Sequence, residues 1–553
     1  MRLAERLEHR PACWIAAACA LYGGLALAYA LRQPLVMDEF QGAAVVSWLR
    51  SQLPYHDFAP YKTVLGYYLQ LLPLSLGGDL WSSLLSVKIF LVILNVAAMY
   101  GVARRLARHY RPAAVVLGTW LLAGMSTFLE RSGELRVDML TSLCGWFSLL
   151  ALLERRAALA GLLAGTSFLV SQKGVYFGLA AGAALAWDLA VVRRDRAALR
   201  DALAFGAAAL APIAAYLAVW SALSSPDAVL RATFLAHRDI ALEDLYEIRH
   251  FWFQTWLRNP YFYAVAVLGL GIAYQRRSAD DAGYRDRVLW VYGAVLGALC
   301  LWHKQPWPYF FVLLIPTLYV LAVVFFDAEL RRTGRLGGAF AALYLLLGLA
   351  WPLARVPGVL QRSNAFQRQQ VLLGEQLLAP DDTYLAGLEM IHTRRQSLRE
   401  LRWLDAPHLG ALARRSDADL GSLVEELRAA PPKLLVWDYR LAALPGPLRR
   451  ALEAGWLPFY GNLRLYAPRL PTGAQEFRLA FSGSYLLAAP SGAHVAVDGV
   501  ALEPGRPVTL DAGLHRGESD TEYRLAWLPD SGELRLDPAF RQPRPLFDDV
   551  YAY

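Results

Sequence analysis

The chain has 553 residues, of which 56% are hydrophobic and only 18% are charged, and its mean hydropathy is +0.30. A soluble protein of this size has roughly 25% charged residues. The deficit is uneven, because residues 12–353 are mostly long apolar runs whereas residues 355–553 resemble ordinary soluble sequence. This pattern predicts an all-α polytopic membrane domain with a large water-exposed tail. It excludes a disordered chain, a coiled coil and a single soluble domain.

The net charge of +8 comes from an unusual basic set, with five lysines against fifty arginines. In a membrane protein, an excess of arginine is explained first by cytoplasmic loops. The charge therefore gives no support for a nucleic-acid partner. The cysteines all lie in apolar segments without CxxC spacing, so neither a disulfide framework nor a cysteine metal site is predicted.

Apolar runs of spanning length recur along the membrane part. A span needs roughly 17–25 predominantly apolar residues. We predict about eleven, near residues 12–31, 82–103, 112–128, 138–153, 157–171, 174–192, 202–222, 258–274, 288–302, 308–327 and 337–353. Short arginine-rich turns alternate with longer outer loops, and the positive-inside rule places these turns in the cytoplasm. An odd number of spans then leaves the tail on the outer, periplasmic side of the inner membrane.

Acidic side chains stand at the outer ends of two predicted spans. Asp38 and Glu39 follow the first span, and Asp138 opens a later one. Asp38 has no basic residue within five positions, whereas Arg136 lies beside Asp138. A carboxylate within hydrogen-bond reach of a hydroxyl acts as a general base. We predict that Asp38 is this base, Asp138 an orienting acid and Glu39 an acceptor or metal contact. The alternatives are a helix cap for Asp38 and a plain ion pair with Arg136 or Arg131 for Asp138.

Lysines gather on one side of the membrane in this topology. Those at or near the outer face are Lys62, Lys88, Lys173 and Lys304. Composition does not explain this placement, because the chain otherwise uses arginine. An ammonium is a compact charge that suits phosphate oxygens, and ionisable groups at the membrane are functional candidates. We predict that these lysines and Arg136 bind a phosphate. The alternative for Lys88 is that it reaches towards lipid headgroups.

These groups together predict transfer of a sugar from a lipid phosphate. A sugar that leaves a phosphate needs no strong acid, but it needs cations to hold the developing negative charge. Aromatic surfaces stack on sugar rings, and Tyr61, Tyr67 and Tyr68 lie in the first outer loop. Nucleotide sugars are cytoplasmic while the candidate groups are outside, so we expect a polyprenyl-phosphate donor. Attack opposite the departing phosphate predicts inversion at the anomeric carbon.

The membrane part, about residues 10–353, resembles the type C membrane glycosyltransferases, closest to the protein O-mannosyltransferases and lipid A aminoarabinose transferases. The matching motifs are Asp38-Glu39, Lys62 before Tyr67-Tyr68, Arg136-Val137-Asp138, the loop histidine His237, and His303-Lys304 followed by Tyr309 and Pro316. The segment after Lys62 lacks the usual prolines. The resemblance implies the type C fold, a polyprenyl-phosphate sugar donor and substrate contacts by His237 and the loop tyrosines.

The tail divides into two predicted domains. The boundaries are 1–354 for the membrane domain, 355–473 for an α/β domain and 474–553 for a β-sandwich with short alternating strands. The sandwich weakly resembles carbohydrate-binding modules, and a structural cap is the alternative.

Several functional questions stay open at this stage. The acceptor is a lipid, a glycan or a protein, and the sugar is a hexose or a pentose. No cofactor is certain, and Glu39 with His237 is the candidate pair for a divalent metal. The rival classes are a transporter and an envelope sensor with an external carbohydrate-binding module. A transporter carries its charges near the bilayer midplane, often in repeated halves, and neither feature is seen.

Overall fold

The computed structural model describes residues 3–60, 62–235, 250–278, 280, 283–332, 337–530 and 534–547. Its first part is helical. In chain order the helices are α1 (Leu3–His9), α2 (Pro11–Arg32), α3 (Met37–Trp48), α4 (Leu65–Leu74), α5 (Leu80–Leu106), α6 (Pro112–Ala123), α7 (Ser126–Arg131), α8 (Asp138–Leu153), α9 (Ala157–Val170), α10 (Val175–Trp187), α11 (Arg196–Leu223), α12 (Pro226–Leu230), α13 (His250–Arg258), α14 (Pro260–Gln275), α15 (Tyr284–Trp302), α16 (Ile315–Arg332) and α17 (Gly337–Gln361).

Every predicted apolar segment overlaps at least one of these helices, although 112–128 is divided between α6 and α7, and 308–327 begins with a 3₁₀ turn before α16. Five helical stretches are long and apolar enough to cross a membrane by length and composition, namely Pro11–Arg32, Leu80–Leu106, Gln172–Arg193, Arg196–Leu223 and Ala339–Gln361. The helices α6, α8 and α9 are apolar but shorter. The protein is therefore a multi-pass membrane protein, and the number of eleven spans stays a prediction.

Aspartate caps and glycines explain two local features of this helical part. Asp79 and Asp195 each accept a backbone hydrogen bond of 2.7 Å at the start of α5 and α11, which satisfies a free N–H at the helix end. The helices α9 and α11 pack closely because Gly161 and Gly165 face the carbonyl oxygens of Phe205 and Ala209. A Cβ on either glycine would collide with those carbonyls, as is common where membrane helices approach closely.

The first part of the tail is an α/β domain. Its helices are α18 (Ala365–Leu377), α19 (Ala406–Ala413), α20 (Asp417–Ala429), α21 (Tyr439–Ala442) and α22 (Gly446–Gly455), and its strands are β1 (Thr383–Ala386), β2 (Arg395–Gln396), β3 (Leu434–Val436), β4 (Trp456–Tyr460) and β5 (Leu463–Tyr466). The sheet order is β2-β1-β3-β5-β4. β1 runs parallel to β2 and β3, whereas β5 is antiparallel to β3 and β4.

The last part of the tail is a sandwich of two four-stranded antiparallel sheets. Its strands are β6 (Arg469–Leu470), β7 (Gly473–Leu479), β8 (Gly483–Ala488), β9 (Val495–Val497), β10 (Val500–Ala501), β11 (Pro507–Leu510), β12 (Gly513–Ser519) and β13 (Tyr523–Leu528). The orders are β10-β9-β12-β7 and β11-β8-β13-β6. Inward residues alternate with outward ones, as in β13, where Tyr523, Leu525 and Trp527 are buried.

Two elements extend across the predicted domain boundaries. Helix α17 continues through residue 354 to Gln361, because its helical backbone outlasts its apolar run. The sandwich also begins before residue 474, since the short strand β6 pairs with β13. The helical part therefore ends near residue 361, and the sandwich begins near residue 469.

Hydrogen bonds fasten the tail to the end of α2 and the start of α3. The side chain of Gln367 accepts from the Leu35 N–H at 2.8 Å and donates to the Leu35 carbonyl at 3.0 Å. Asn364 donates to the Leu31 carbonyl at 2.9 Å, and Arg32 donates to the Leu360 carbonyl at 2.7 Å. The tail is thus held beside the segment that carries Asp38.

The orientation of the chain can be tested by thiol labelling in a cysteine-free background. Val500 is 60% exposed in the sandwich, and Ala197 is exposed beside an arginine-rich turn. Because the positive-inside rule places that turn in the cytoplasm, we expect an impermeant maleimide to label Val500→Cys from outside intact cells. Ala197→Cys should react only after lysis. The reverse pattern would invert the topology.

Candidate active site

One guanidinium joins two carboxylates that are a hundred residues apart. Asp38 lies in the first turn of α3, and Asp138 is the first residue of α8. Arg136 forms an ion pair with Asp38 and donates from Nε to Asp138 Oδ2 at 3.1 Å. Asp38 has no basic neighbour along the chain, but Arg136 approaches it through the fold.

Two lysines complete this cluster around Asp138. Lys173 Nζ lies 2.6 Å from Asp138 Oδ1, and Lys62 Nζ lies 3.4 Å from Oδ2. The side chain of Asp138 is only 2% exposed, whereas that of Asp38 is 35% exposed. Asp38, Arg136, Asp138, Lys62 and Lys173 form what we call the central cluster. Its three cations exceed its two carboxylates by one positive charge, which is the balance expected of an anion-binding site.

Tyr309 forms an aromatic wall of the central cluster. The Arg136 guanidinium carbon lies 3.3 Å from the centroid of the Tyr309 ring, and Lys173 Nζ lies 4.9 Å from it. Tyr309 belongs to a 3₁₀ turn over Pro308–Leu313. A ring face holds a cation by electrostatic attraction and fixes its position. The late segment of the helical part therefore reaches the central cluster through Tyr309.

The loop that carries Lys62 is fastened to neighbouring helices. Thr63 donates to the Phe168 carbonyl at 3.1 Å, and the Val64 N–H donates to the Tyr216 hydroxyl at 3.0 Å. Tyr68 stacks on Trp220 with 6.2 Å between the ring centroids. These contacts connect the segment around Lys62 and the start of α4 to the ends of α9 and α11. They fix the backbone next to Lys62 and so hold the Lys62 side chain beside Asp138.

Opposing effects set the protonation of Asp38. Burial raises the pKa of its carboxyl, but the positive charges of Arg136 and Lys62 lower it by more. The net pKa of Asp38 lies below its ordinary value, so this carboxyl is ionised at neutral pH.

Burial has the larger effect on Lys62, which lies in a loop between helices. It lowers the pKa of the ammonium, and the nearby charges of Lys173 and Arg136 add to this, while Asp138 opposes it. The resulting pKa of Lys62 is about 8. This ammonium therefore begins to lose its charge at mildly alkaline pH.

Glu39 and Lys88 form a separate buried ion pair. Lys88 Nζ lies 2.7 Å from Glu39 Oε1, and the two side chains are 4% and 1% exposed. Glu39 also accepts from the Leu135 N–H and the Val36 N–H, each at 2.9 Å. Both carboxylate oxygens are thus occupied by protein donors. The phosphate contact expected of Lys88 and the acceptor or metal contact expected of Glu39 stay predictions, and a structural role for the pair is the alternative that these contacts support.

The remaining candidates are dispersed. Lys304 is exposed, and the contacts found for the described residues do not include it in the central cluster. Tyr67 is buried in α4. Tyr61 and His237 lie outside the described residues. Within the described ranges, no three His, Cys, Asp or Glu side chains group together as a metal site.

The tail contributes residues that the sequence interpretation missed. Tyr439 lies just beyond the carboxyl end of the central strand β3. Its hydroxyl donates to the Met37 sulfur at 2.8 Å. Arg440 is buried beside it, donates to the Tyr439 hydroxyl at 3.3 Å and exerts its positive charge on Asp38. Ligands of open α/β sheets bind at the carboxyl ends of parallel strands. That rule, applied to the polar residues after the run Leu434–Val436, was the signal that could have located these side chains.

The fold of this chain is similar to that of two solved membrane proteins. ArnT from Cupriavidus metallidurans, solved bound to undecaprenyl phosphate, has a TM-score of 0.55 at 13% identity, over 78% of this chain and 93% of its own. The apo oligosaccharyltransferase of Archaeoglobus fulgidus has a TM-score of 0.50 at 11% identity, over 90% and 76%. Both are type C glycosyltransferases. The chain has the type C glycosyltransferase fold. No protein-family model and no curated protein matches the sequence.

The type C fold confirms the expected architecture of a helical membrane part followed by a sheet-containing tail. Within this chain, α3 and α8 begin close together, since Arg136 contacts both Asp38 and Asp138. The fold by itself does not assign roles to the individual side chains.

Removal of Lys88 tests whether its pair with Glu39 is structural. Lys88→Met leaves a buried carboxylate without its counter-ion, so we expect the unfolding free energy in detergent to fall by about 3–5 kcal/mol. The double variant Glu39→Gln/Lys88→Met removes both charges and should recover part of this loss. If Lys88→Met unfolds like the wild-type protein, the pair has no structural role.

Proposed function

We propose that this protein is an inverting glycosyltransferase that moves a hexosyl or pentosyl group from a polyprenyl-phosphate donor to an acceptor hydroxyl at the outer face of the inner membrane. The observation that carries the proposal is the central cluster, in which the half-buried carboxylate of Asp38 pairs with Arg136, and Arg136, Lys62 and Lys173 surround the buried Asp138. The donor class is supported by ArnT, whose structure contains undecaprenyl phosphate. The acceptor is a lipid, a glycan or a protein.

The charge of the central cluster suits the donor and its product. A polyprenyl-phosphate sugar is a phosphodiester with one negative charge, which balances the one excess positive charge. When the bond between the anomeric carbon and the phosphate oxygen breaks, the phosphate gains a further negative charge. Lys62, Lys173 and Arg136 are already in place to stabilise it, and fixed charges cost no reorganisation during reaction.

Asp38 is the better placed general base. Its carboxylate is partly exposed and has one close cation, whereas Asp138 is buried and holds three. In the step we propose, the acceptor hydroxyl transfers its proton to Asp38 as its oxygen bonds to the anomeric carbon. The donor phosphate competes for Arg136, which relieves the pairing that depresses the pKa of Asp38. Asp138 then orients the cations.

The acceptor approaches from the side of the tail. Tyr439 contacts Met37, the residue before Asp38, and the Arg440 guanidinium lies 5.2 Å from the Trp403 ring centroid. Aromatic faces and a guanidinium suit the stacking and hydrogen bonding of a sugar or another polar acceptor. An acceptor held between α3 and this sheet edge presents its hydroxyl to Asp38.

Replacement of Asp38 tests the assignment of the base. Asp38→Asn removes proton acceptance while the side-chain size is kept, so we expect turnover to fall by about 10²–10⁴. Binding of the donor should change little, which separates catalysis from affinity. Asp57→Asn, at an exposed carboxylate in the same outer loop, is the matched control and should keep full turnover. Turnover of Asp38→Asn within a few-fold of wild type would transfer the role to Asp138.

The charge of Lys62 predicts how donor binding depends on pH. Because the pKa of Lys62 is about 8, a rise in pH through this value removes its charge and should weaken donor binding. Lys62→Arg keeps a cation at high pH and should remove this alkaline loss. Lys62→Ala should bind weakly at every pH. The measurement is the donor affinity of the wild-type protein and the two variants as a function of pH. An unchanged alkaline loss of affinity in Lys62→Arg would contradict the role of Lys62.

A further inference from the structure

Lys173 of the central cluster lies against a short aromatic turn. Tyr309 and Phe310 are consecutive residues of the 3₁₀ turn over Pro308–Leu313. Lys173 Nζ lies 4.9 Å from the centroid of the Tyr309 ring and 5.8 Å from that of the Phe310 ring. A ring face attracts a cation and orients it. The position of this turn therefore contributes to the position of the Lys173 ammonium.

His303 packs directly on this turn. Its imidazole stacks on the Phe310 ring, with 4.1 Å between the ring centroids and 5° between the ring planes. Phe310 is completely buried, so the stacked pair lies inside the protein. Close ring contacts gain dispersion energy and restrict the movement of both side chains. His303 follows the last residue of α15, and the stacking therefore fastens the end of this helix to the aromatic turn.

A hydrogen bond joins His303 to the helix that follows Lys173. The Tyr176 hydroxyl lies 2.8 Å from His303 Nδ1. Tyr176 is in the first turn of α10, three residues after Lys173. Its ring stands edge-on to the rings of His303 and Phe310, with centroids 5.9 Å and 6.3 Å apart. We call Tyr176, His303 and Phe310 the ring cluster, and it connects the segment of Lys173 to the aromatic turn that Lys173 contacts.

The imidazole of His303 is neutral in this position. Burial lowers the pKa of the ring, the positive charge of Lys173 lowers it further and Asp138 opposes this, so that the pKa of His303 is about 3. A neutral imidazole accepts a hydrogen bond at one nitrogen and donates from the other. Nδ1 therefore accepts from the Tyr176 hydroxyl. The ring supports Lys173 without bringing a further positive charge to the central cluster.

We propose that His303 is a positioning residue of the donor site, which acts through the ring cluster to hold Lys173 where the donor phosphate binds. The inference rests on the proposed function, because it takes the central cluster as the site of a polyprenyl phosphate. A binding group needs neighbours that lock its own position, and a displacement of about 1 Å at such a group costs up to about a hundredfold in rate. The contacts of His303 with Tyr176 and Phe310 provide this support on two sides.

The test measures binding of undecaprenyl phosphate to the full-length protein in detergent, by native mass spectrometry. His303→Ala removes the hydrogen bond and the stacking together, and we expect about tenfold weaker binding. His303→Asn keeps an acceptor near the position of Nδ1, and His303→Phe keeps the stacking, so each should lose less. The matched control is His109→Ala, at another half-buried histidine in the turn between α5 and α6, and it should bind like wild type.

Double variants separate positioning from a general loss of stability. Lys173→Met removes the cation that the ring cluster holds, so in that background His303→Ala should weaken binding by clearly less than tenfold. Tyr176→Phe and His303→Phe remove the same hydrogen bond, so their combination should bind no more weakly than the weaker single variant. Tyr176→Phe loses a single hydroxyl, and it carries the test should His303→Ala fail to fold.

The outcomes distinguish this inference from the proposed function. Wild-type affinity in both His303→Ala and Tyr176→Phe would overturn the positioning role and leave the proposed function intact. A full tenfold loss from His303→Ala in the Lys173→Met background would also overturn the role, because the effect would then not pass through Lys173. If the wild-type protein does not bind undecaprenyl phosphate, the donor class of the proposed function is overturned, and the inference with it.

Discussion

The central constraint on this structure is the sharing of Arg136 between Asp38 and Asp138. Charges at a membrane surface away from bulk water are tolerated only when they are paired and hydrogen-bonded. Asp138 uses three cations for this, and Asp38 takes the other side of the same guanidinium. The start of α3 and the start of α8 are thereby tied together. A phosphate that binds these cations must compete with the two carboxylates for them. Binding of the donor would therefore change the ion pairs of Asp38 and Asp138.

Other contacts hold the central cluster in position. The buried pair of Glu39 and Lys88 lies one residue along α3 from Asp38, and the Leu135 N–H joins it next to Arg136 in the chain. This pair therefore fixes both sides of the Asp38–Arg136 contact. From the tail, Gln367 bonds both backbone groups of Leu35. The position of the Asp38 carboxylate thus depends on the membrane part and on the tail together, as rigid support of an active site requires.

Much of the fold and part of the site could be predicted from the sequence. Apolar runs and alternating strands are local patterns, so the helices and the sandwich were recovered. Asp38, Asp138, Arg136, Lys62 and Lys173 were all named as candidates, and the structure brings them together. The resemblance to the type C family and the positive-inside rule predicted that these residues lie on the same side of the membrane.

The partners of these side chains could not be predicted, because they come from distant segments. Glu39 and Lys88 are 49 positions apart, and their pairing became visible only in the folded chain, where Lys88 of α5 reaches the first turn of α3. The contact of Tyr439 with Met37 joins residues 402 positions apart. Asp38 has no basic residue close to it in the sequence, yet it contacts Arg136 in the structure. Neighbours in sequence do not determine neighbours in space.

The most direct test of the account is the lipid content of cells. Mass spectrometry of polyprenyl-phosphate lipids would compare a deletion strain complemented with wild-type protein, with Asp38→Asn or with nothing. The account predicts that one polyprenyl-phosphate sugar accumulates in the empty and Asp38→Asn strains and returns to its basal level with wild-type protein. An identical polyprenyl-phosphate profile in all three strains would contradict it.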